Sequence, residues 1–67
     1  MMKQIRCISG IARIMEAENV TAEEARELQE ERAYREIDGL DTYGWELESV
    51  SGSPEQGIVL MFRKVDN

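Results

Sequence analysis

The clearest periodic signal runs through the middle of the chain. Ala22, Ala25, Leu28, Ala33, Ile37 and Leu40 recur at steps of three to five residues between polar neighbours. That spacing puts an apolar stripe on one side of a helix and predicts a helix over about 22–43. Thr21 precedes the stripe and Glu24 follows three residues later, the arrangement of a capping box. Glu23 and Glu24 add negative charge at the positive end of the helix dipole. Glu31 and Arg35 form the favourable i,i+4 order on the outer face, and Tyr34 flanks the stripe. Gly39 interrupts the helix, which predicts either close packing against a sheet or a kink. Gly44 is the better stop, as a left-handed C′ residue.

After Gly44 the period changes from 3.6 to 2. Trp45 and Leu47 share one side, and Glu46 and Glu48 alternate to the other. This predicts an edge strand over about 45–50 whose indole closes the end of a helix–sheet core. Ser51 to Gly57 is a loop by composition. Five consecutive apolar residues, Ile58-Val59-Leu60-Met61-Phe62, then predict a strand over about 58–65 that is apolar on both faces and therefore central. Ile58, Leu60 and Phe62 point one way, Val59 and Met61 the other. At the other end, the segment from Lys3 to Ile8 reads as a strand. Ser9-Gly10 reads as a bulge, and Ile11–Met15 either extends the strand or starts a helix; extension is the favoured reading, giving one long strand over about 2–15.

The expected fold is a single α+β domain, β-α-β-β. The three strands take the spatial order 1-3-2, with the last strand central, one helix on one face and a right-handed crossover. One helix leaves the second face open. An exposed apolar face of this kind marks an interface, so Val59 and Met61 are the candidate interface residues and a homo-oligomer is expected.

The stretch Gly44-Trp45-Glu46-Leu47-x-Ser49-Val50, preceded by Ile37-x-x-Leu40 and followed by a polar loop and Leu60-x-Phe62-Arg63-Lys64, resembles the small bacterial and phage proteins grouped as domain of unknown function 4177. The resemblance covers about Val20 to Lys64 and matches the N-terminal strand only in type. It implies a strand, a helix and two closing strands. It implies no activity, so it carries no functional residues to this chain. Glu48 departs from the family's usual apolar residue, and the Ile11–Met15 stretch is longer than the family pattern.

Composition narrows the chemistry. The 67 residues hold 8 basic and 14 acidic side chains, a net charge of −6, with one cysteine and no histidine. A domain this size buries only about 60% of its unfolded surface. A single Cys7 excludes an internal disulfide and, without histidine, argues against a zinc site. With no adjacent base, Cys7 reads as a small hydrophobe and not a nucleophile. The acids fall mostly on the outer helix face and not as a facing pair. No catalytic residue, metal site or cofactor is expected, and the chain is read as non-enzymatic.

A net negative chain is a poor ligand for a nucleic-acid backbone. No apolar run reaches the roughly 20 residues of a membrane helix, and the N-terminus lacks a signal-peptide core. A cytoplasmic location is therefore expected. Asn19-Val20-Thr21 matches a glycosylation sequon, which has no meaning without export.

Two surfaces remain as candidates. Arg6, Arg13, Arg63 and Lys64 would form a ring of anion contacts if the first and last strands are neighbours. Glu23, Glu27, Glu30 and Glu31 form an acidic face for a basic protein partner. The expected role is a small oligomeric binding or regulatory module. The alternative is a phage-type inhibitor acting by occupancy. It would either sequester a small nucleotide between subunits or block a basic nucleic-acid-binding protein with its acidic helix.

Overall fold

A computed structural model describes residues 2–65. Strand β1 (Lys3–Ser9) is followed by helices α1 (Ile11–Glu18) and α2 (Ala22–Thr42), then strands β2 (Trp45–Ser53) and β3 (Gly57–Lys64). The sheet order is β1-β3-β2. Both outer strands pair antiparallel with β3. The α+β class, the central last strand and the single small domain are therefore as the sequence predicts. No helix among the described residues is long and apolar enough to cross a membrane.

The N-terminal expectation needs correction. Ile11–Met15 does not extend β1; it begins a second helix. Ile11, Ile14 and Met15 stand at i, i+3 and i+4, and the segment Ile-Ala-Arg-Ile-Met-Glu-Ala-Glu is rich in good helix formers. Nor is Ser9-Gly10 a bulge. Gly10 is the N-cap of α1, and it is buried against the β2–β3 turn. A Cβ there would stand 2.2 Å from the Glu55 carbonyl oxygen, so only glycine fits the approach. Asn19 ends α1 in the left-handed conformation at φ 54°, a geometry asparagine tolerates better than most residues. The sheet's register shift lies instead in β2, between Leu47 and Ser49.

Helix α2 begins as the sequence requires. The Thr21 side chain accepts from Glu24 N–H, and the Glu24 carboxylate accepts from Thr21 N–H. It runs unbroken through Gly39, where an added Cβ would meet nothing within 4 Å. Gly39 therefore does not serve close packing against the sheet. Gly44, at φ 83°, turns the chain into β2 as expected.

Two cores share α2. Ile8, Leu60, Phe62 and Leu40 form the first, with Ala33, Ile37, Trp45, Leu47 and Ile58 packed against it. Phe62 is fully buried. The second joins α1 to the first half of α2 through Ile11, Ile14 and Ala25. Because the helix pair continues beyond the sheet, the molecule is elongated, 43 × 19 × 14 Å, with a radius of gyration of 13.0 Å. A compact chain of this length would have about 11 Å.

Candidate functional site

The register of β3 sorts the sheet into two faces. Leu60 and Phe62 lie under α2, opposite Arg6 and Gln4 on β1 and opposite Val50 and Leu47 on β2. Val59 and Met61 lie on the other face. Their neighbours there are Cys7 and Ile5 on β1, and Ser51 and Ser49 on β2. Among the described residues no element covers this second face. Ile5 is 54% exposed, Cys7 is exposed, and Val59 and Met61 are half-buried. The structure thus brings the two candidate interface residues together at the centre of an open apolar strip.

One end of the strip is charged. Lys3 Nζ lies 3.1 Å from the Glu48 carboxylate, and Arg63 lies 3.4 Å from Glu46. The shift at Glu48 gives β2 one extra residue against β3, and the two acids engage cations of the other two strands, Glu46 that of adjacent β3 and Glu48 that of β1. The opposite end forms a corner with the start of α1, a concavity of about 360 Å³ whose lining includes Cys7, Arg13, Gly57 and Val59.

The four candidate anion contacts are not brought together. Strands β1 and β3 are neighbours, but Arg6 pairs with Glu36 of α2 at 3.3 Å, and Arg63 is held by Glu46. Lys64 hydrogen-bonds the Tyr43 carbonyl and sits 5.4 Å from the centre of the Trp45 ring. Arg13 stands apart on α1. Alternation explains the separation, since Arg63 and Lys64 are successive residues of one strand and leave it on opposite faces.

The acidic face is partly retained. Glu31 is engaged by Arg35 at 2.7 Å. Glu23, Glu27 and Glu30 are exposed, and none of them forms an ion pair with another described residue. At i, i+4 and i+7 they lie along one line of α2.

Sequence reasoning missed the buried polar residue. Gln29 is only 2% exposed. Its amide nitrogen donates to the carbonyl oxygens of Ser9 at 3.0 Å and Pro54 at 2.9 Å. The signal was present, because Gln29 falls midway between Ala25 and Ala33 on the apolar stripe. A polar side chain there must find partners inside. Among the described residues, no three His, Cys, Asp or Glu side chains gather where they would hold a metal ion. In comparison with known proteins, the chain matches no family model, no curated protein and no solved structure.

Proposed function

We propose that this chain is a non-enzymatic module that acts by binding, and that its open sheet face joins it to further copies of itself. The observation that carries this reading is the uncovered strip of Ile5, Cys7, Val59 and Met61. Apolar surface in water is costly at about 25 cal/mol per Å², and a contiguous exposed patch marks an interaction site. Pairing two such faces would also cover the side of each sheet that α2 leaves bare.

Native mass spectrometry and sedimentation of the wild-type protein and Met61→Glu test the reading. A multimer that the substitution splits, with the subunit's circular dichroism unchanged, is the expected result. A monomer at high concentration overturns it.

The alternative role, inhibition by occupancy, has more support in one of its two forms. Nucleotide capture needs clustered cations, and Arg6, Arg13, Arg63 and Lys64 are dispersed. A basic protein partner needs acids without internal partners, and Glu23, Glu27 and Glu30 supply them. Salt-sensitive capture of a basic partner, weakened by charge removal along that row, is the corresponding test.

A further inference from the structure

The open face is lopsided. On its middle rungs β3 presents Met61 and Val59, β1 presents Ile5 and Cys7 on one side of them, and β2 presents Ser49 and Ser51 on the other. One margin of the strip is therefore tall and apolar, and the other is low. The charged end has a polarity of the same kind. Lys3 stands on the β1 margin, Glu46 and Glu48 on the β2 margin, and Arg63 between them. Lys3 reaches across β3 to Glu48, and Arg63 leans to Glu46. The basic member of each pair thus lies towards β1 and the acidic member towards the free side of β2.

Two copies meeting through this one patch are related by a two-fold axis lying between their sheets. An axis parallel to β3 exchanges the margins. It sets Ile5 and Cys7 of one copy over Ser49 and Ser51 of the other, tall against low, as interdigitating layers require. It also stacks the two Lys3–Glu48 pairs head to tail, so that each ammonium faces the second copy's carboxylate. Val59 and Met61 meet their own counterparts at the axis. The two Arg63 side chains start near the axis, but each leans to its own Glu46, and the turn sends them apart. An axis perpendicular to the strands instead leaves each margin over itself. Serine then faces serine across a gap, and Lys3 is carried towards the second copy's corner, where Arg13 is a like charge.

We infer that the occupant of the open face is a second copy turned about an axis parallel to β3, with the Lys3–Glu48 pairs of both copies joined into one cluster of alternating charge. The strands of the two sheets then run in the same sense, within about 30° of one another. The apolar strip supplies the buried area. The charge pairs set the orientation, because complementary charges fix the register of an interface more than they add to its affinity. The inference rests on the self-association proposed above and adds the geometry of the pair.

The experiment mixes the wild type with the exchanged variant Lys3→Glu/Glu48→Lys, which keeps the ion pair inside each subunit and reverses its direction. One of the two is 15N-labelled, so that native mass spectrometry at low salt separates the dimers by mass. Alone, the exchanged variant should dimerise within about twofold of the wild type, since its charges still alternate across the interface. Mixed one to one, the two should form mixed dimers about fivefold below the statistical share, because like charges then face each other. The single variants should behave inversely. Lys3→Glu and Glu48→Lys each dimerise more weakly alone, and together they form the mixed dimer in preference to either homodimer. Statistical mixing of wild type with the exchanged variant overturns the orientation and leaves self-association standing. An exchanged variant that stays monomeric where the wild type dimerises also overturns the orientation. A wild-type monomer at high concentration overturns both the orientation and the self-association beneath it.

Discussion

The amide nitrogen of Gln29 lies 2.9 Å from the carbonyl oxygen of Pro54, and the same oxygen accepts the Ile11 N–H at 2.9 Å. One carbonyl at the β2–β3 turn therefore anchors the middle of α2 and the first residue of α1. Replacing Gln29 with leucine keeps the volume and removes the donor. The expected cost is about 1–3 kcal/mol, the penalty for leaving buried polar groups short of a partner. Urea denaturation checks it through a lower midpoint at unchanged slope.

Two glycines should respond in opposite directions to the same substitution. Gly39→Ala places a methyl group in open space on a helical residue and should stabilise by about 0.5–1 kcal/mol. Gly10→Ala drives its Cβ into the Glu55 carbonyl and should destabilise by on the order of 3 kcal/mol. Thermal melts of both variants against wild type decide the pair.

Trp45 packs on the sheet–helix core but remains half-exposed. Trp45→Ala should therefore cost less than the roughly 3–5 kcal/mol of a fully buried aromatic, about 2 kcal/mol. A fluorescence-independent readout is needed, since the only indole is lost; far-ultraviolet circular dichroism in urea serves.

Asn19 closes α1 with a positive φ. Asn19→Ala should lose about 1 kcal/mol through left-handed strain, whereas Asn19→Gly should be neutral or mildly stabilising. Hydrogen exchange along α1 would report the difference locally.

What was legible in the sequence followed from strong local rules. The capping box at Thr21 and Glu24, the stop at Gly44, and the two-sided apolar run at Ile58–Phe62 each depend on neighbours in the chain, and each is found as expected. The sheet order followed because the most apolar strand must be central. The misread segment was Ile11–Met15, where apolar residues at 11, 14 and 15 suited a helix but adjoined a strand, and Gly10 looked like a bulge without knowledge of the turn it packs against. The basic ring failed because sequence proximity ignores alternation and ion pairing. The open face that carries Val59 and Met61 was legible because their side of β3 had no helix left to cover it. The seat of α2 across the sheet was not, since it depends on contacts from Gln29 to Ser9 and Pro54 and from Arg6 to Glu36.

The register that pairs Lys3 with Arg63 also orders events in time. The helix pair is closed by contacts between residues near in the chain, but β1 has no strand partner until β3 exists. During synthesis the first strand therefore leaves the ribosome with Ile5 and Ile8 unpaired and waits for nearly the whole remaining chain. Sheet closure is therefore the step expected to come late in folding, because contacts this distant in sequence cost the most entropy to form.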